Sequence, residues 1–169
     1  MNEKHRWIVK VLLVCVGCVL IMGLMVFGYI QYQNRQNLLL ASNQFSFAMN
    51  AARAEAIELG VAVTVCALKA DAPLRCGEKV DWANGWMVFL GDVRQGEVGV
   101  FEQKLMQGAH LPKGIWVMAN VRFVTYDWVG GLLTPVLVVK MGVRPCYGPG
   151  VKLHTVSVGG QLQVEGAGC

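Results

Sequence analysis

Twenty consecutive residues without a charge, Val11 to Ile30 (VLLVCVGCVLIMGLMVFGYI), constrain this chain more than any other feature. As a helix rising about 1.5 Å per residue, the run matches the roughly 30 Å hydrocarbon core of a bilayer. Beyond it the helical pattern continues through YQNRQNLLLASNQFSFAMNAARAEAIELG to Gly60. A helix from Ile8 to Leu59 would be about 78 Å long. Its first half suits lipid and its second half suits water, which points to assembly or display at a membrane.

Lys4, His5 and Arg6 precede the run, with Lys10 at its edge. Cationic flanks stay in the cytoplasm, so the expected location is the inner membrane, single-pass, with the N-terminus cytoplasmic and the remainder periplasmic. A cleaved secretory signal would have an apolar core of about 7–15 residues and a small-residue cleavage site. This run is longer and is followed by Gln31, Tyr32 and Gln33. The reading is therefore an uncut anchor, divided as 1–10 basic tail, 11–30 transmembrane segment, 31–60 amphipathic continuation and 61–169 periplasmic β-rich domain.

The cysteines fit an oxidising compartment. Of six, Cys15 and Cys18 lie inside the apolar run, where they read as small packing residues. Cys66, Cys76, Cys146 and Cys169 lie beyond it, and an even number in an exported domain suggests disulfides. Four cysteines permit three pairings. The short Pro-containing stretch ALKADAPLR between Cys66 and Cys76 reads as a loop closed by that pair, which leaves Cys146 with Cys169. Zinc is disfavoured, because these cysteines form no tight C-x-x-C and have no nearby His.

The formal charge of +4 overstates the basicity of the exported part. Residues 31–169 hold 12 Lys and Arg against 10 Asp and Glu, with no basic block. Nucleic-acid surfaces normally show a clustered cationic footprint. The amphipathic stripe Leu38, Ala41, Phe45, Ala48, Met49, Ala52, Ala56 and Leu59 recurs at three- and four-residue steps and predicts a helix packed on the following domain. Gly60 suits the position after its end. Strand patterns follow at 61–68, 85–92, 98–103, 115–119, 121–126, 136–142 and 151–158, with 161–164 closing a hairpin through Gly159-Gly160. The expected fold is α+β: one long N-terminal helix on a mostly antiparallel domain of about 7–8 strands.

No catalytic constellation emerges. His110 and His154 stand far apart without a motif and read as solvated or turn residues. Asp71, Asp81, Asp92 and Asp127 sit in expected loops. No nucleophile elbow, zinc helix or phosphate-binding glycine loop occurs. Catalytic residues, cofactors and metals are therefore expected to be absent. Trp82, Trp86, Trp116 and Trp128 read as core or rim.

At this point the residues resemble a family. Ala52-Arg53-Ala54-Glu55-Ala56-Ile57 followed by Val63-Thr64-Val65-Cys66 is similar to the A-R-S-E-A-I helix end and V-T-L-C strand of the GspH/FimT-type pseudopilins. Cys76 and the segment Trp82-Ala83-Asn84-Gly85-Trp86-Met87-Val88-Phe89 match that family's second cysteine and its W-x-x-G-W-x-V-F strand. Arg53, Glu55, Trp82, Gly85 and Trp86 carry the likeness, which spans residues 38–164 and is specific up to about residue 95. It implies a non-enzymatic subunit of a type IV pilus, type II secretion or related membrane assembly. Its partners would be other pilin-like subunits, membrane assembly proteins and the lipid bilayer.

Two departures shape that expectation. The family's leader glycine and helix glutamate fall at His5 and Lys10, so the prepilin motif is degenerate and the chain reads as retained in the membrane. DNA-binding members carry G-R-x-R near the C-terminus, where this chain has Gly160-Gln161-Leu162-Gln163. Phosphate contacts dominate nucleic-acid affinity. With neutral Gln161 and Gln163 in place of both arginines, a DNA-binding minor pilin in transformation is the disfavoured alternative.

Overall fold

The structure, a computed structural model, describes residues 3–69, 72–77, 82–91, 104–107, 111–112, 114–146 and 150–168. Helix α1 runs Glu3–Leu59. The chain divides into two compact units, Met1–Gln36 and Asn37–Cys169. The first is helix alone, and its large apolar side chains from Val11 to Ile30 are solvent-exposed. The helical stretch Lys10–Leu59 contains an 18-residue window of mean hydropathy 2.8 with none of it buried, long and apolar enough to cross a membrane.

The second unit buries one face of its own part of the helix. Leu38, Ala41, Phe45, Ala48, Met49, Ala52 and Ala56 are all buried, as the stripe predicts. Alanines at four of these seven positions bring the helix backbone close to the strands, and Phe45 and Met49 fill the wider gaps. Leu59 departs from expectation. It is the last helical residue, the chain turns at Gly60 (φ +65°), and its side chain stays exposed.

Nine strands are present among the described residues: β1 Val63–Lys69, β2 Ala72–Cys76, β3 Trp86–Leu90, β4 Lys104–Gln107, β5 Ile115–Ala119, β6 Phe123–Tyr126, β7 Leu137–Val143, β8 Val151–Val156 and β9 Leu162–Ala167. They form two antiparallel sheets. One has the order β2-β1-β3-β4 with β6 also on β1, and the other has the order β5-β7-β8-β9. The α+β class holds, with more strands than the sequence pattern shows. The expected strand at 98–103 lies outside the described residues. β2 occupies what reads in sequence as a loop, because it pairs with β1 through Leu68↔Cys76 and Lys69↔Ala72. As an edge strand it tolerates Pro73, whose missing N–H would break an interior ladder.

β1 is buried on both faces, which explains its unbroken apolar run. Val63, Val65 and Ala67 join the main core with α1, β7 and β6 residues. Cys66 and Leu68 point the other way into a small second cluster with Cys76, Met87 and Phe89. On the same face as Cys66, Thr64 Oγ1 donates to the Gly91 carbonyl at 2.6 Å and lies 2.9 Å from Thr125 Oγ1, so this buried hydroxyl is satisfied.

Candidate functional site

The residues that carry the family likeness fall into two places in the second unit. The first is the anchor of the main core. Trp82 and Trp86 are buried, and each meets the edge of Phe45 in a T-shaped contact, at 5.8 and 5.2 Å between centroids. Such aromatic pairs add stabilisation beyond their buried area. Trp82 Nε1 donates to the Val121 carbonyl at 3.0 Å, so its polar edge is paired. The turn between the tryptophans closes with Gly85 N donating to the Trp82 carbonyl at 3.1 Å, and Gly85 takes φ +98°. A side chain at that φ would be strained, which is why the motif needs glycine there. Cys66 and Cys76 form a disulfide with Cα atoms 5.5 Å apart, bridging β1 to β2 in the second cluster, on the other side of β1 from this anchor. Cys146 is also disulfide-bonded. Its expected partner, Cys169, lies outside the described residues.

The second place is the end of α1. Arg53 Nε donates to the Gly130 carbonyl at 2.9 Å, and Nη2 donates to the Gly159 carbonyl at 3.3 Å. One guanidinium thus ties the helix to two turns, 127–131 and 157–160. The first turn is organised by Asp127, whose Oδ1 accepts from Val129 N at 3.0 Å and Gly131 N at 2.8 Å. The second closes with Gly160 N donating to the Ser157 carbonyl at 2.8 Å. The turns meet so closely that a Cβ on Gly160 would overlap the Gly130 carbonyl oxygen, and Gly160 itself takes φ +74°. Glu55 is half-buried on the same helix.

The remaining expected positions are scattered. Lys10 is exposed on α1, and His5 lies within that helix. Gln161 is exposed just before β9, its backbone pairing with Ser157, and Gln163 is exposed on β9. Among the tryptophans, Trp116 is half-buried with its indole over Gly142, while Trp128 is 65% exposed. His110 lies outside the described residues, as do Asp71, Asp81 and Asp92. Among the described residues no group of three His, Cys, Asp or Glu could hold a metal ion.

His154 corrects the sequence expectation of a solvated or turn histidine. It lies on β8, fully buried, with Nε2 2.9 Å from Ser42 Oγ on α1. Phe45 meets its ring edge-on at 5.2 Å. Nδ1 has no hydrogen-bond partner. Burial pushes its pKa down to about 4, opposed by the Ser42 hydrogen bond and aided by the positive charge of Lys152. Strand phase carried the signal that residue type hid: His154 shares its face with Val156, which is also buried. Tyr126 is similar, its phenol pushed above its ordinary range by burial, with Arg53 opposing. Its hydroxyl rests 3.8 Å from Met49 Sδ. The Arg53 clamp likewise escaped the sequence reading. Its partners are the backbone carbonyls of Gly130 and Gly159, which no residue type in the sequence marks as acceptors.

The comparisons agree with this geometry. Residues 41–159 match the family profile described as type II transport protein GspH. No curated protein matches the chain significantly. Among solved structures, the type IV minor pilin FimU of Pseudomonas aeruginosa is similar with a TM-score of 0.59 at 20% identity, covering 79% of this chain and 92% of that one. A second crystal form of FimU gives 0.51 at 20% identity over 74% and 89%. The minor pseudopilin EpsH of the Vibrio cholerae type 2 secretion system gives 0.49 at 11% identity over 73% and 94%, too slight a likeness to argue from. The profile match covers more than two thirds of the chain and includes both the tryptophan anchor and the Arg53 clamp, and on that match this chain belongs to the GspH family of pilin-like proteins.

Proposed function

We propose that the chain is a non-enzymatic minor pilin or pseudopilin, held in the inner membrane by residues 11–30. Residues 1–10 form its cytoplasmic tail, 31–60 the amphipathic continuation and 61–169 the periplasmic domain. The observation that carries this reading is the change of environment along α1. Its apolar side chains are bare from Val11 to Ile30 and buried at every third or fourth position from Leu38 to Ala56. A bare face twenty residues long is stable in lipid, and a buried stripe of small residues seats a folded domain. Lys4, Arg6 and Lys10 supply the cationic flank that favours a cytoplasmic N-terminus. Lys10 occupies the family's glutamate position, and a cation there resists transfer out of the head-group region, which supports retention over release into a fibre.

Co-purification of the full chain from gently solubilised membranes tests the role. Recovery with other pilin-like subunits is expected. Recovery as a lone monomer, with normal pilus and secretion function in a deletion strain, would exclude it.

A further inference from the structure

Two cations near the start of α1 have no protein partner. Arg6 and Lys10 are exposed and stand one turn apart on one face of the helix, and neither meets an acceptor among the described residues. Trp7, 69% exposed, borders the same face. Glu3 opens the helix a turn before Arg6, and Lys4 beside it offsets its charge. Residues 3–10 thus carry three cations, Lys4, Arg6 and Lys10, against one anion.

Aromatic residues set the depth of these groups. Trp7 and Tyr29 stand about 33 Å apart along the helix, and Trp and Tyr settle at the two head-group levels of a bilayer whose apolar core is roughly 30 Å thick. Gln33 Nε2 donates to the Tyr29 hydroxyl at 2.9 Å, which turns the polar end of that ring towards the polar residues that follow. Arg6 lies at the level of Trp7. Lys10 lies about 4.5 Å deeper, within reach of the phosphates through its flexible stem.

Below Lys10 the same face carries Gly17, and a Cβ there would meet nothing within 4 Å. Leu13, Val14, Leu20 and Ile21 border this notch and are exposed. A pair of cations about 10 Å above a notch between branched side chains has the outline of one phospholipid, phosphate above and acyl chain beneath. The large apolar side chains of Val11 to Ile30 are all exposed, so lipid is what the helix meets at this depth. The cytoplasmic leaflet supplies anionic head groups at the level of Arg6 and Lys10. A zwitterionic head group fits less well, because its own cation would face a second cation of the protein.

We propose that Arg6 and Lys10 bind the phosphodiester of one anionic phospholipid of the cytoplasmic leaflet, with an acyl chain laid along Gly17. The inference rests on the membrane-anchored reading above and gives that anchor a ligand. A cation near the surface strengthens attachment to anionic lipid about fivefold wherever it stands. A site requires more, namely that both cations share one face above the notch.

Photo-crosslinking of the full chain in phosphatidylcholine vesicles tests it. The vesicles contain a minor fraction of a probe lipid with a diazirine near the top of one acyl chain, either phosphatidylglycerol or phosphatidylcholine. Per inserted chain, the phosphatidylglycerol probe is expected to cross-link at least threefold more, with its adducts within residues 6–17. Arg6→Gln and Lys10→Gln are each expected to remove at least half of that excess. The double variant His5→Arg, Arg6→Gln preserves the net charge at pH 7.5 and moves the cation about 100° round the helix. It is expected to lose as much as Arg6→Gln alone. A double variant that keeps the full excess would show diffuse attraction by net charge and overturn the site, as would equal yields from the two probes. Recovery of the chain in the supernatant would refute the anchored reading and this inference with it. An inserted chain with equal yields refutes this inference alone.

Discussion

His154 sits where a charge is not tolerated. An ordinary histidine titrates near 6.5, and here burial pushes the value down to about 4. Between those values the unfolded chain holds a proton that the folded chain refuses. Stability is therefore complete above about pH 6.5, falls as pH drops through the window, and levels off below pH 4. The loss should be about 3 kcal/mol. Urea unfolding of the full chain in detergent at pH 7 and pH 4 checks it, with His154→Leu expected to flatten the difference. An equal pH dependence in the variant would assign the effect elsewhere. A second residue-scale expectation concerns Gly160. Alanine there meets both a left-handed backbone and the Gly130 carbonyl, so Gly160→Ala should cost about 2–3 kcal/mol. Gly159→Ala, which faces open space apart from Ser157 Oγ at 4.0 Å, is the control and should cost under about 1 kcal/mol. These two glycines look identical in sequence, because the distinction lies in how closely a distant turn approaches. The tryptophans were legible for the opposite reason: in Trp82-Ala83-Asn84-Gly85-Trp86 the local motif itself specifies the turn and the anchor.

The elements differ in how openly the sequence declares them. The helix announced itself through periodicity and β5 through a short apolar run between turn residues, and the predicted 115–119 strand coincides with Ile115–Ala119. β2 did not, because APLRC is short, shows no alternation and contains a proline. Its strand character comes from pairing with β1 and from the Cys66–Cys76 link, both of which are tertiary facts. That link has a testable worth. It closes a loop of sequence separation 10, for which loop-closure entropy predicts about 2–3 kcal/mol. The double variant Cys66→Ala, Cys76→Ala should lose that amount in urea unfolding. Because both cysteines are buried in the second apolar cluster, a somewhat larger loss from missing side-chain volume would be consistent with the packing. No loss at all would mean that the β1–β2 pairing holds the hairpin without help.

For the whole molecule, the expectation is an integral membrane protein with a protected anchor. Alkaline carbonate should leave the full chain in the membrane pellet. Protease added to spheroplasts should digest residues beyond Ile30 and leave a fragment containing Lys4 to Ile30. Intact-mass measurement of membrane-extracted protein should show the first residues retained, apart from Met1. A mass lacking several N-terminal residues would restore a mobile-pilin reading. The two units also differ in what the sequence alone could disclose. The first is readable from hydropathy, since lipid asks only for length and apolarity. The second needed its motif residues, since which turn meets which helix depends on long-range contacts such as Arg53 to Gly130 and Gly159.

The position of β1 has a mechanical consequence. The helix feeds directly into it, so a pull along α1 strong enough to unseat the buried stripe and the Arg53 clamp next enters the sheet at Val63. There β1 lies between β3 and β6, hydrogen-bonded to both. Peeling the strand from its N-terminal end would have to strip Val63, Thr64 and Val65 from two neighbours together. At the fourth residue it meets Cys66, covalently fastened to Cys76. A tug on the anchor can therefore fray this strand by three residues before it reaches a bond that tension of ordinary size does not break, and a reductant would convert that hard stop into a slip point.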